Sequence, residues 1–168
     1  MSLKSKPALF IHGGAGGRAD RARAALLRRS LRAICERSYA RLSTRSALDT
    51  VAFVVQQLED DPLFNAGTGS VLQWDGRVRM SASVMDGRRG RFAGVLNIER
   101  VRNPVLVAQQ LLDRPDRILA GPPATRFARA AGFVDWNPVT PERMRQWRSQ
   151  HRTPQFGAAT FGSWSYIL

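Results

Sequence analysis

The strongest constraint in this sequence is a helical apolar pattern that stops in acids and a proline and then opens into alternating glycines: residues 58–70 read LEDDPLFNAGTGS. Pro62 has no N–H for a helix to use and restricts the residue before it to extended backbone, so the helix must end at or before Asp61. Phe64, Asn65, Gly67 and Gly69 then follow, more punctuation than a turn requires. Such a stretch reads as a loop with a task of its own.

The segment leading into it is ALDTVAFVVQQLED, with Ser46 as N-cap and Ala47, Val51, Val54, Val55 and Leu58 on one face. Ahead of that, Asp20 to Leu42 spaces Ala24, Leu27, Leu31, Ile34 and Ala40 helically with arginines between, which predicts an amphipathic helix with a basic outer face. ALFIHGG reads as a short buried strand feeding a glycine turn. SVLQWDGRVRMSASVMDG reads as two strands joined at Asp75-Gly76, and FAGVLNIERV as a third. Asn103-Pro104 caps a helix through Leu112, RILAG is a short strand, ATRFARAAG is a helix stopped by Gly132, and Thr140-Pro141-Glu142 opens a last helix to about Gln150. From His151 to Leu168 there is no helical period. Strands and helices mixed in this order predict an α+β layered fold.

A chain of 168 residues, 43% hydrophobic, has the size of one domain and the means to bury a core. Its 26 basic against 13 acidic residues leave a net charge of +13, which attracts anions of every kind. Arg18, Arg21, Arg23, Arg28, Arg29, Arg32, Arg37, Arg41 and Arg45 cluster on one predicted helix and its flanks, but no aromatics interleave with them. The run therefore reads as a solvated basic face rather than as a nucleic-acid site. Cys35 stands alone, so the chain can form neither an intrachain disulfide nor a thiolate metal cluster. The apolar runs are too short for a secretory signal or a membrane span, which leads us to expect a cytoplasmic protein.

Few residues are left for conventional hydrolytic chemistry. Only His12 and His151 are available to a Ser-His-Asp relay, and a histidine at a strand end is more often structural. HGGAGG, from His12 to Gly17, offers backbone N–H groups to negative charge, yet matches neither dinucleotide nor P-loop spacing and has no G-x-S-x-G partner. On the residues alone it is equally an anion-binding turn or a plain one. Asp86-Gly87 reads as a turn, and Glu59, Asp60 and Asp61 lie too far from it in sequence to define a carboxylate pair.

Three phrases in order, IHGGAG at 11–16, SALDTVAFVVQQLEDDPLFNAGTGSVLQWDG at 46–76 and SASVMDG at 81–87, together with FAGVLNIERVRNPVLVAQQLL, resemble the α-subunit of plant-type L-asparaginases, the isoaspartyl peptidases, over roughly residues 7–150. The resemblance implies an N-terminal nucleophile hydrolase, an αββα sandwich of which this chain supplies about half: residues 4–150 as the α-subunit part of the domain and 151–168 as a linker or tail. It implies a precursor that cuts itself ahead of a threonine, which becomes the first residue of a β-subunit and uses its own amine as base. It implies an (αβ)2 assembly, a small-molecule substrate such as L-asparagine or a β-aspartyl dipeptide, and no organic cofactor. A structural sodium ion would be held by the backbone carbonyls of Leu58, Glu59, Asp61, Phe64, Ala66 and Thr68, with Asn65 supporting the active site and Gly13 and Gly14 near the oxyanion.

This chain departs from the family pattern in two places. Ser81 stands where the family has aspartate. At the expected cleavage junction His151 and Thr153 are correctly separated, but Pro154 follows, so Thr153 is not assigned as nucleophile and Thr160 still less. Two alternatives stay open: a catalytically inactive or truncated relative acting as a basic binding module, and a glycosylasparaginase-type hydrolase.

Overall fold

The computed structural model describes residues 6–14, 19–151 and 163–165. Its centre is an antiparallel hairpin of β1 (Met80–Asp86) and β2 (Arg91–Ile98). In β1 the side chains of Met80, Ala82 and Val84 are buried while Met85 is exposed, the alternation that a half-covered strand requires. Asp86 closes the hairpin: its carboxylate accepts the Arg88 and Arg89 N–H groups at 3.1 and 3.3 Å, so this aspartate forms the expected turn. A bulge interrupts the ladder, because Met80 pairs with Ile98 but Ala82 with Val95, leaving Ser81 opposite Leu96 and Asn97. Asn97 takes a φ of 51° there and donates its N–H to Ser81 Oγ at 3.2 Å. Ser81 thus satisfies the bulge.

Two short strands complete the sheet, β3 (Ile118–Ala120) parallel to β2 and β4 (Ser163–Ser165) parallel to β1, in the order β3-β2-β1-β4. Helices α2 (Ala47–Asp60), α3 (Pro104–Leu111) and α4 (Gly121–Ala130) pack on one face, where Val84, Ala93, Val95, Ile98, Val105 and Val107 are all 0% exposed. Each such valine contributes about 1.5–3 kcal/mol by leaving water. Among the described residues nothing covers the opposite face: Met85, Phe92 and Ile118 are 46%, 45% and 49% exposed. The remaining helices are α1 (Arg21–Arg41), capped by Asp20, and α5 (Pro141–Gln150), capped by Thr140.

Several expectations are corrected. Residues 7–11 form no strand: the backbone is irregular and Phe10 is 93% exposed. A strand exists only where a neighbour takes its N–H and C=O groups, and among the described residues this segment has no such neighbour; Leu9 and Ile11 pack against Leu58 and Phe64 instead. At Asp75-Gly76 the turn forms, with Gln73 N–H on the Arg77 carbonyl at 2.8 Å, but its first arm is not a strand and its second becomes one, β1, only from Met80. Both edges of β1 are already taken, by β2 and β4. β4 carries no period in sequence because three residues are too few to show one.

α2 is buried on two sides rather than one. Val54 and Leu58 pack with Ile34 of α1 and Phe64, while Val55 joins the core under the sheet. Thr50 and Glu59, off the expected apolar face, are therefore 0% exposed. Among the described residues no helix is long and apolar enough to cross a membrane.

Candidate functional site

α2 ends at Asp60, and Asp61, held extended by the following Pro62, turns the chain into the loop. Because residue 62 is proline, the Leu58 carbonyl receives no helical N–H from it. The loop then folds back until Thr68 N–H reaches the Glu59 carbonyl at 2.7 Å. Gly67 makes this return at a φ of 52°, so close to the helix end that a Cβ would lie 2.2 Å from the Glu59 oxygen. At Gly69, with a φ of 91°, a Cβ would lie only 2.9 Å from the Pro62 Cα and carbonyl oxygen. Both glycines are required here, for left-handed backbone and for room.

The acids of the loop point away from it. Asp61 accepts the Ser30 hydroxyl at 2.5 Å and the Leu63 N–H at 3.0 Å, tying the loop to α1. Asp60 accepts Arg102 Nε at 2.7 Å and the Asn103 amide at 3.1 Å. Glu59 enters the core, where its Oε1 accepts the Val105 N–H at 3.1 Å and its Oε2 has no partner. Asn103, expected to cap α3, makes no capping bond; the cap comes from Glu59 of another helix. Burial pushes the Glu59 carboxyl well above the usual carboxylate range, against the opposing pull of the Val105 N–H and the Asn103 amide.

A second clamp comes from residues 136–143. Trp136 Nε1 donates to Thr68 Oγ1 at 3.2 Å, Gly69 N–H to the Pro138 carbonyl at 2.8 Å, and Arg143 Nε to the Gly69 carbonyl at 2.6 Å. None of these partners is visible as such in the sequence, because a loop of this composition carries no period and the contacts are long-range. Trp136 is set by the neighbouring ion pairs: Arg100 Nε meets Asp135 at 2.8 Å, and Arg129 joins the same carboxylate. Arg100 first, then Arg129, lowers the Asp135 carboxyl to about 2. A carboxyl depressed on folding adds stability above its ordinary value near 4, and loses it as pH falls towards 2. The gap in urea midpoint between the native chain and Asp135→Asn is therefore expected to be constant from pH 7 to about 4 and to close below that; a gap that persists at low pH would rule out the ionised pair as its source.

The structure brings two distant motifs together. A Cβ on Gly13 would lie 2.9 Å from Phe64 Cε1 and 3.0 Å from Leu31 Cδ1, so the His-Gly-Gly segment rests directly on the loop. His12 is exposed, its Nδ1 taking the Gly14 N–H at 3.3 Å. Asn65 is also exposed, and its Oδ1 accepts the Val71 N–H at 2.8 Å, stapling the far end of the loop. Ala66 and Phe64 are buried, with Phe64 in the cluster formed by α1 and α2. Thr153, Pro154, Thr160 and Gly16-Gly17 lie outside the described residues.

Among the described residues no group of three or more His, Cys, Asp or Glu side chains could hold a metal ion, so a cation at this loop would have to use backbone oxygens. The Leu58 carbonyl lacks its helical donor, because residue 62 is proline, and Gly67 packs so closely on the Glu59 backbone that no side chain fits between them. The carbonyls of Glu59 and Asp61 each already accept one N–H, from Thr68 and Phe64, which leaves one lone pair apiece.

An α+β chain that seats a His-Gly-Gly segment on a helix-terminal glycine loop falls within a known class. The family model described as asparaginase matches residues 5–164, and the chain belongs to that family. It is 45% identical over 149 residues to the isoaspartyl peptidase/L-asparaginase of Nostoc sp., covering 88% of this chain and 47% of that protein. To the protein of the same name from Synechocystis sp. it is 45% identical over 145 residues (86% and 44%), and to the plant-type L-asparaginase of Thermococcus kodakarensis 40% over 141 residues (83% and 46%). The chain thus spans a little under half the length of these relatives.

Proposed function

We propose that this chain is the α-subunit of a threonine-dependent amidohydrolase that acts on L-asparagine and β-aspartyl dipeptides. The observation that carries the reading is the contact of Gly13 with Phe64, which joins the two motifs of the family resemblance into one surface beside Asn65. The sheet face at Met85, Phe92 and Ile118, uncovered among the described residues, supports it, since a second sheet contributed by a β-subunit would cover that face in an αββα sandwich. Two such pairs would make the (αβ)2 assembly.

In this reading the threonine hydroxyl of the β-subunit attacks the side-chain carbonyl carbon and its proton passes to the threonine's own α-amine, which titrates near 8 and so needs no histidine. The oxyanion forms beside the Gly13-Gly14 backbone. When the C–N bond breaks, the amine returns the proton to the departing nitrogen, leaving a β-aspartyl ester that water hydrolyses. A sodium ion, when bound, supplies fixed positive charge that rigidifies the loop through the carbonyls of Leu58, Glu59, Asp61, Phe64, Ala66 and Thr68. Asn65 holds the loop end and presents its amide donors beside the reacting group.

Production of the protein from its intact gene, followed by a denaturing gel, intact mass and ammonia release from L-asparagine, tests this reading. A second polypeptide beginning with threonine, together with ammonia release, is expected. A product consisting only of this 18.7 kDa chain, inert towards asparagine and retained on polyanions until salt is added, would sink it.

Asn65 allows a finer separation. Asn65→Asp keeps the acceptor for Val71 but loses the amide donors, so it should melt like the native protein and lose most of its turnover. Asn65→Ala should in addition lose about 0.5–1.5 kcal/mol of stability. Full turnover in the aspartate variant would make Asn65 purely a loop staple.

A further inference from the structure

A cavity of about 360 Å³ opens where the end of α1 meets α2 and α3, with Arg41, Arg45, Asp49, Phe53, Gln56 and Gln109 among its walls. Its size is at the lower end for small-molecule sites. The Arg41 guanidinium lies 4.1 Å over the Phe53 ring, which fixes its plane without neutralising it. Its Nε is buried without a partner, and neither Arg41 nor Arg45 forms an ion pair among the described residues.

A stacked, unpaired guanidinium beside a second one is prepared for a planar carboxylate, which it can grip with two parallel N–H donors. The remaining walls refine the choice. Asp49 is held in place, Oδ2 by the Ser46 hydroxyl at 2.8 Å and Oδ1 by Gln109 Nε2 at 3.3 Å, so its charge faces whatever enters. It would repel the second charge of a dicarboxylate or phosphate and attract an ammonium. We propose that this cavity binds a free α-amino acid, its carboxylate on Arg41 and Arg45 and its ammonium against Asp49.

The test is an NMR titration of the full chain with glycine and L-alanine, following the side-chain amide resonances of Gln56 and Gln109, with acetate as the probe lacking an ammonium. Saturable shifts are expected for both amino acids, with acetate bound more weakly. Arg41→Gln and Arg45→Gln should each weaken binding about tenfold or more. Asp49→Asn should remove the preference over acetate. Arg45 is exposed, so its variant keeps the test decisive even if loss of the Arg41 stack disturbs folding. Absence of saturation up to about 10 mM, affinity unchanged in Arg45→Gln, or acetate bound as tightly as alanine would each overturn the proposal. Neither amino acid carries a side-chain amide, so this test and the ammonia-release test fail independently.

Discussion

Gly67→Val is expected to cost at least about 4 kcal/mol, enough to unfold most of the population of a domain with ordinary stability. Two effects add. At a φ of 52° a β-branched side chain is outside its allowed region, and its Cβ would lie 2.2 Å from the Glu59 carbonyl oxygen and 2.5 Å from the Glu59 Cβ. The obstacle is backbone at the end of α2, so relief would require moving the helix rather than a flexible side chain. Gly90→Ala separates the two effects, because Gly90 has a φ of 58° with nothing within 4 Å of a Cβ; about 1–2 kcal/mol is expected there from conformation alone. Urea denaturation of the two variants checks the difference. Equal losses at the two positions would mean that the loop does not press on the helix end, and the cradle for a cation would go with it.

The second large effect is expected at Glu59. Glu59→Ala should cost about 2–4 kcal/mol, because it removes a fully buried side chain and strands the Val105 N–H at the start of α3. Glu59→Gln retains an acceptor for that N–H and should cost far less, since burial already favours the uncharged carboxyl. The pH dependence gives an independent check. A carboxyl whose folded value is raised contributes its stability fully below the ordinary carboxylate value and loses it as pH rises through the folded one. The native protein should therefore lose part of its stability on going from acid towards neutral pH, and Glu59→Gln should lack that component. A glutamine variant as unstable as the alanine variant at every pH would show that the ionised carboxylate, not its shape, holds α2 to α3.

Much of the secondary structure was legible because local chemistry decided it. Ser46 and Thr140 cap the helices they open, and Asp86 forms its turn, since each needs only neighbours a few residues away. ALFIHGG and the first arm at Asp75-Gly76 were misread for the opposite reason. Their composition permits strands, but pairing is a property of two segments, and β1 had already given its edges to β2 and β4. The apolar spacing of α2 marks one buried face where packing buries two, so the burial of Glu59 and its capping of a different helix are not legible in the sequence.

Sequence by itself determined where the chain must break. Pro62 ends α2, Gly67 and Gly69 permit left-handed backbone, and the order of the motifs places the chain in the asparaginase family, because backbone restriction is local and motif order survives folding. Tertiary structure alone decided what those breaks serve. The seat of Gly13 on Phe64, the grip of Trp136 and Arg143 on Thr68 and Gly69, and the turning of Glu59, Asp60 and Asp61 away from the loop all join residues far apart in the chain. Such contacts depend on how helices and sheet pack, and no periodicity in a one-dimensional string records them.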